Sequence, residues 1–169
     1  MTGTALNLQE TRSRPSLTGW VGLAARLVLG GALLYAGGSK VAFPQASARA
    51  VQAYQILPFE VAAYVGYVLP AAELLMGALL VVGLFTRPVA ALGALLMLAF
   101  IAGIASAWAR GLSIDCGCFG GGGQVGQDQT SYPQEIARDL LFAACGGWLV
   151  LRGPGRLAVD HVLAGRTGR

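Results

Sequence analysis

Long apolar stretches interrupted by few polar positions dominate the chain. The clearest stretch runs from Pro88 to Ala109, 22 residues without a charge between Arg87 and Arg110. About 20 apolar residues cross the ~30 Å hydrocarbon core of a bilayer. This stretch therefore predicts a transmembrane helix at 88–109.

Three further stretches are apolar enough to cross a membrane but carry charge within them. They are 17–39 with Arg26, 59–84 with Glu60 and Glu73, and 134–151 with Glu135, Arg138 and Asp139. Small residues recur along these stretches and would let helices pack closely in lipid. The pattern predicts an all-α integral membrane four-helix bundle at 17–152, between tails at 1–16 and 153–169.

The first stretch has a second interpretation, as a cleaved signal peptide. Its apolar part is longer than the roughly 7–15 residues usual for such peptides, and no convincing Ala-x-Ala cleavage site follows it. A retained membrane anchor is the better interpretation.

Composition supports membrane insertion and excludes several classes of protein. Apolar residues make up 55% of the chain, there are 25 glycines, and charged residues are only 12%. So few charges cannot cover the surface of a soluble globule, where about 25% is usual. The net charge of +4 includes no Lys/Arg run with interleaved aromatics, so nucleic-acid binding is not expected.

The positions of lysine and arginine predict the orientation. Seven arginines lie in the two tails and in the loop between the second and third spans, namely Arg12, Arg14, Arg87, Arg152, Arg156, Arg166 and Arg169. The opposite side holds Lys40, Arg49 and Arg110. By the positive-inside rule both termini are cytoplasmic, in a multi-pass protein of the cell membrane, and the loop at 110–133 is exoplasmic.

This exoplasmic loop carries the most informative chemistry. Residues 115–120 read Asp-Cys-Gly-Cys-Phe-Gly, followed by three more glycines. Gly117 permits the bend that a bridge between residues i and i+2 requires. Such a small ring is strained and exchanges readily. The pattern favours a dithiol/disulfide pair, Cys116 and Cys118, that passes electrons on, and the glycines predict a flexible hinge.

Two other uses of the pair stay open, a structural bridge and a metal site. A bridge across one residue removes almost no loop entropy, so its stabilising effect is weak. Zinc needs two further ligands, and the chain's one histidine, His161, lies in the predicted cytoplasmic tail. We therefore predict no metal. Cys145 lies deep in the fourth span and is expected to be a small buried apolar residue.

Charged residues within the spans are candidates for function, because they are costly in lipid. Arg26 and Glu73 both fall near the predicted midplane and are expected to pair. Pro70 should kink the second span and free a carbonyl. The pair is interpreted either as a structural lock or as a proton relay or cofactor contact.

A second group of polar residues is expected beneath the cysteine loop. Its members are Lys40, Glu60, Asp115, Arg138 and Asp139. Positive groups there would lower a thiol pKa, whereas Asp115 would raise that of its neighbour. Adjacent residues on a helix diverge by about 100°, so Arg138 and Asp139 are not expected to pair with each other.

Several of these segments together resemble a known family. Arg26, residues 37–40, Leu69-Pro70 with Glu73, and residues 83–87 resemble the DoxX-like membrane family. The loop at 115–120 and the span bearing Arg138 resemble its MauE branch, the methylamine utilisation proteins that help to mature a disulfide-rich periplasmic dehydrogenase. The likeness covers roughly residues 20–152.

The resemblance implies a four-helix membrane protein that works with an exoplasmic thioredoxin-like partner in disulfide formation or reduction. By analogy with other four-helix thiol oxidoreductases, electrons would pass to a quinone. One departure is Asp139, where MauE-type chains tend to carry Asn. The resemblance does not make methylamine metabolism the pathway here.

Three hypotheses follow, and whether the protein is an enzyme is left open. The first is a membrane thiol–disulfide oxidoreductase that uses Cys116 and Cys118 as an exposed pair on the oxidising, exoplasmic side. The second is a non-enzymatic scaffold that anchors an exoplasmic redox protein. The third, a small-solute transporter using Arg26 and Glu73, lacks the expected inverted repeat.

Overall fold

The computed structural model describes residues 17–126 and 130–160. Its elements are α1 (Leu17–Val41), α2 (Pro44–Ala53), α3 (Phe59–Val82), α4 (Thr86–Ala109), β1 (Ile114–Asp115), β2 (Gly123–Gln124) and α5 (Tyr132–Arg152). The four long helices lie where the sequence predicts spans, with ends that differ by a few residues. The described residues differ from the expected all-α four-helix bundle by a fifth, short helix, α2, and by a two-stranded hairpin.

Of the helices in the described ranges, three are long and apolar enough to cross a membrane, namely α1, α3 and α4. The 21-residue helix α5 has a similar length but carries more charge. The main packing pairs are α1 with α3 and α4 with α5, and α1 also packs along α5. The chain is therefore a mostly helical protein with several membrane-capable helices.

Small residues set the spacing of α1 and α3, as the sequence predicts. A Cβ on Gly37 would lie 2.6 Å from the Pro70 carbonyl oxygen, and one on Gly77 would lie 2.8 Å from the Gly30 oxygen. These approaches leave no room for a side chain, and they define an antiparallel register in which Gly37 faces Pro70 and Gly30 faces Gly77.

Pro70 lies inside α3 and leaves a carbonyl free, as predicted. A proline has no N–H to donate to the carbonyl four residues earlier, which here is that of Gly66. The Ser47 hydroxyl, on α2, donates to this Gly66 oxygen at 2.7 Å. The carbonyl that Pro70 leaves free thus accepts the hydrogen bond that links α2 to α3.

The chain after α5 folds back onto the end of the helices. The Arg26 guanidinium donates to the backbone oxygens of Pro154 at 3.4 Å and Leu157 at 3.0 Å. The Asp160 carboxylate accepts from the backbone N–H groups of Phe85 and Thr86, at 2.8 and 2.9 Å. Residues 153–160 therefore close this end of the helices, whereas the rest of the predicted C-terminal tail and the tail at 1–16 lie outside the described residues.

Candidate functional site

A hairpin presents the cysteine pair. In β1 and β2, Ile114 pairs with Gln124 and Asp115 with Gly123, so residues 116–122 form the turn. The Asp115 carboxylate accepts from the N–H groups of Gly117 and Gly122, each at 3.2 Å. Gly117 and all four glycines at 120–123 have positive φ, which glycine adopts without steric cost. The glycine run forms a tight turn whose Gly122 N–H binds the Asp115 carboxylate, at the place where the sequence predicts a flexible hinge.

Both cysteines are buried, and the expectation of an exposed pair is wrong. Cys116 is 8% exposed and Cys118 is 5% exposed. Tyr132, at the start of α5, donates its hydroxyl to the Leu112 carbonyl and accepts from the Ile114 N–H. These bonds, with the apolar cluster around Ile104 and Ile114, hold the hairpin down against the helices.

The two thiols are free, and their sulfurs lie in different surroundings. The Cys116 sulfur accepts from the Cys118 N–H at 3.3 Å and from the Arg138 guanidinium at 3.7 Å. Hydrogen bonds from Cys118, reinforced by Arg138, lower the pKa of Cys116, although burial and the Glu135 carboxylate oppose this. The hydrogen bond to Cys116 and burial raise the pKa of Cys118. Of the two, Cys116 is therefore the cysteine that ionises more readily.

Arg138 connects the Cys116 sulfur to α5. Its Nε donates to Asp139 Oδ1 at 3.0 Å, so the expectation that these adjacent residues do not pair is wrong. The long Arg138 side chain bends back over its neighbour, and its guanidinium lies 4.5 Å from the centre of the Phe119 ring. Phe119 in turn packs against Tyr35 and Phe142. The arginine is held on three sides.

Glu135 lies on the other side of Cys116. Ligand atoms of Asp115, Cys116 and Glu135 lie within 4.8 Å of one another, close enough for a metal ion. The Arg138 guanidinium contacts the same sulfur and would repel a cation. This arrangement fits an anionic thiolate better than a metal site.

The expected pair of Arg26 and Glu73 is not formed, and this prediction is wrong. Glu73 binds Lys40, whose Nζ donates to both carboxylate oxygens at 2.7 and 2.8 Å. Side chains on a helix lean toward its N-terminus. In antiparallel α1 and α3, Lys40 and Glu73 therefore lean toward each other, whereas Arg26 leans away toward the far end.

The remaining predicted residues divide between this site and other places. Lys40 and Asp139 belong to the buried site, with Lys40 Nζ 5.7 Å from the centre of the Phe100 ring. Glu60 is exposed in the first turn of α3 and does not join the group. Cys145 packs against the apolar cluster that includes Leu29 and Leu149, not against the cluster of the cysteine pair.

Sequence reasoning missed the contribution of α2 and the residue that follows it. The Tyr54 hydroxyl donates to the Cys116 carbonyl at 3.2 Å, and Arg110 donates to the Tyr54 carbonyl. A Cβ on Gly122 would lie 2.5 Å from Ala50 Cβ, so the turn also packs on α2. Pro44 followed by small residues was a usable signal for this helix, since proline favours the first helical turn.

Replacing Arg138 with Gln is expected to slow alkylation of Cys116 near neutral pH by roughly three- to tenfold, because a nearby positive charge favours the thiolate. The pH at which the alkylation rate is half-maximal, the midpoint, should rise, because the variant forms less Cys116 thiolate than the parent protein at each pH below the pKa. Alkylation of Cys116, resolved by mass spectrometry across pH, measures both effects.

Two control variants separate charge from shape. Arg138→Lys keeps the charge and should retain most of the rate. Glu135→Gln removes a negative charge beside Cys116 and should move the midpoint downward. An unchanged profile in Arg138→Gln would show that the guanidinium does not control the thiol.

The chain matches a known protein family over most of its length. Residues 18–152 match the family described as Methylamine utilisation protein MauE. No curated protein and no solved structure matches the chain. The wider DoxX-like relation stays a prediction. Because the match covers all four long helices and the buried cysteine hairpin between α4 and α5, the chain belongs to the MauE family.

Proposed function

We propose that the protein exchanges thiols and disulfides with an exoplasmic thioredoxin-fold partner during redox maturation. The observation that carries this proposal is the Cys116 sulfur, which accepts hydrogen bonds from both Cys118 and Arg138. A thiolate stabilised beside a second thiol is the arrangement that disulfide exchange requires. Membership of the MauE family agrees with a membrane protein in methylamine utilisation or redox maturation.

The exchange proceeds through a mixed disulfide. The Cys116 thiolate attacks a disulfide of the partner, so one partner sulfur leaves as thiolate and the other becomes bonded to Cys116. Cys118 then attacks Cys116, the Cys116–Cys118 bond forms, and the second partner sulfur leaves. Two electrons pass to the partner, whose disulfide becomes a dithiol. The same steps in reverse oxidise a partner dithiol.

The proposal places α5 as a fourth membrane helix and the hairpin on the exoplasmic side. At one end of the helices, Arg152 lies over the Trp148 ring and Arg156 over the Trp20 ring. Arginine and tryptophan together are typical of a membrane interface, and excess arginine of its cytoplasmic side. The cysteine hairpin lies beyond the opposite end of α4, which supports the proposed position outside the cell.

A quinone, suggested by analogy, would need an apolar space larger than the cavity that touches Cys118. The cavity that touches Cys118 has a volume of about 10 Å³, far too small for a ring. An apolar pocket of about 300 Å³ lies between α2, α3 and α4 and is lined by Tyr54 and Phe100, at the lower end of the size of small-molecule sites. A quinone there would supply a two-electron acceptor, held by apolar packing.

Trapping of the mixed disulfide tests the proposed function. In a Cys145→Ser background, Cys118→Ser is expected to accumulate a covalent adduct with a thioredoxin whose second active-site cysteine is also Ser. The adduct should be lost on reduction, and it should be absent from Cys116→Ser. Mass spectrometry of the adduct checks that Cys116 is the linked residue.

The burial of both thiols favours one alternative, a non-enzymatic scaffold that anchors a redox protein. In that case the variant with both cysteines changed to Ser would still co-purify with the partner and support full activity. The oxidoreductase proposal instead requires that the redox state of the partner change when both cysteines are replaced. An unchanged partner redox state would contradict it.

A further inference from the structure

A small cavity is lined by Cys118 and by two carboxylates. Its lining includes Cys118, Asp139, Glu73, Met97, Phe100 and Phe119. Its volume, about 10 Å³, is close to the ~10–15 Å³ minimum that a single water needs. The cavity therefore lies between Cys118, the thiol that attacks the mixed disulfide, and the buried carboxylates, and it has room for one water molecule at most.

Asp139 is the carboxylate in this cavity with an oxygen free to act. It is 1% exposed, and its Oδ1 holds Arg138. Its Oδ2 is buried and makes no hydrogen bond to any residue that the structure describes. Buried polar atoms are almost always hydrogen-bonded, so an acceptor left open beside a thiol requires an explanation.

The other carboxylate in the cavity, that of Glu73, already forms an ion pair with Lys40. Both oxygens of Glu73 accept from Lys40 Nζ, at 2.7 and 2.8 Å. A proton placed on Glu73 would break this ion pair, whereas a proton on Asp139 Oδ2 leaves the Arg138 bond to Oδ1 intact. Asp139 is thus the carboxylate able to take a proton without losing a partner.

We propose that Asp139 accepts the proton of Cys118 when Cys118 attacks the mixed disulfide on Cys116. This inference rests on the proposed function. The S–H bond of Cys118 breaks, and its proton passes to Asp139 Oδ2 directly or through one water. The Cys118 sulfur then bonds to Cys116 as the S–S bond between Cys116 and the partner breaks, and the electron pair of that S–S bond leaves with the partner thiolate. In the reverse direction Asp139 returns the proton to the departing Cys118 thiolate.

Charge balance explains why such an acceptor is needed. The charged and titratable groups around the cavity and the pair are Arg138, Lys40, Glu73, Asp139, Glu135, Cys116 and Cys118. The hydrogen bond to Cys116, burial and the neighbouring negative charges raise the pKa of Cys118, so free ionisation is rare near neutral pH. Transfer within the cavity moves the negative charge from Asp139 to the reacting sulfur without adding a charge to the buried site.

A coloured disulfide reagent measures this step without any protein partner. In the Cys145→Ser background, reduced protein reacts with a dithiobis-nitrobenzoate reagent. Cys116 releases one nitrobenzoate thiolate as it forms the mixed disulfide, and attack by Cys118 releases the second. The first release reports on Cys116 and folding, and the second reports on the proton transfer from Cys118.

Asp139→Asn is expected to slow the second release near neutral pH by about 10- to 100-fold, since a general base commonly contributes at least this much. The first release should change much less. The rate of the second release in this variant should rise steeply with pH, because Cys118 must now ionise into solvent. Asp139→Glu restores a carboxylate and should recover much of the rate.

Glu135→Gln serves as the matched control, since it removes a carboxylate beside Cys116 rather than beside Cys118. This variant should change the rate of the first nitrobenzoate release and leave the rate of the second release nearly unchanged. An equal second release in Asp139→Asn and the parent protein at all pH values would overturn the proton transfer, and so would a parent protein that releases nothing. If the second release depends on Asp139 but no adduct with thioredoxin forms, the proposed function fails and the proton transfer stands.

Discussion

Lys40→Met is expected to lower the free energy of unfolding by about 3–5 kcal/mol, the cost of leaving a buried charge without its partner. Lys40 is 4% exposed and Glu73 is 0% exposed, and the lysine is hydrogen-bonded to both carboxylate oxygens. After the change Glu73 would be a buried carboxylate without its ion-pair partner. Unfolding by heat or denaturant in detergent measures the loss.

The double variant Lys40→Met/Glu73→Leu tests whether the loss comes from the unpaired charge. Replacing a buried ion pair by apolar residues of similar size is often neutral or stabilising, so the double variant should be more stable than Lys40→Met alone. Glu60→Gln changes an exposed carboxylate on the same helix and should stay within about 0.5 kcal/mol of the parent. A fully stable Lys40→Met would contradict the ion pair.

Gly122→Ala is expected to open the cysteine turn and to raise the alkylation rate of both cysteines severalfold. The new Cβ would lie 2.5 Å from Ala50 Cβ and 2.8 Å from Gly117 Cα. Forcing extra volume into a packed site costs about 1–3 kcal/mol, and the left-handed backbone adds about 1–2 kcal/mol. Alkylation followed by mass spectrometry, together with thermal unfolding, measures both effects.

Gly123→Ala is the control for this experiment. Gly123 also has a positive φ, of 116°, but a Cβ added at this position would have no neighbouring atom within 4 Å. The two variants share the backbone strain and differ in the clash with α2. Gly123→Ala should therefore leave the cysteines protected, and equal alkylation in the two variants would show that packing against α2 does not hold the turn.

The apolar pattern predicted the long helices well because length and hydropathy are local properties. The third predicted span, 88–109, differs from α4 (Thr86–Ala109) by two residues at one end. The free carbonyl expected from Pro70 was also predictable, because the loss of an N–H is a consequence of one residue. The predicted kink stays a prediction. The partner of that carbonyl, Ser47, was not predictable, because it lies on a helix whose position depends on packing.

The environment of the thiols was only partly predictable. Residues 115–120 identified the chemistry, and a nearby cation was expected to lower a thiol pKa. Which cysteine has the lowered pKa depends on the hydrogen bonds that Cys116 accepts from Cys118 and Arg138. The burial of both cysteines depends on Tyr132 and on α2, and neither leaves a signal in the motif itself.

The sequence by itself determined that the chain enters a membrane, where its long helices begin and end, and which loop carries the thiols. The tertiary structure decided which charges meet. Position along a helix follows from a rise of 1.5 Å per residue, which suggested a pair of Arg26 and Glu73 at one depth. Which side chains face each other depends on the close packing of Gly37 against Pro70. This packing puts Lys40 in contact with Glu73, whereas Arg26 contacts residues 154 and 157 at the opposite end of α1.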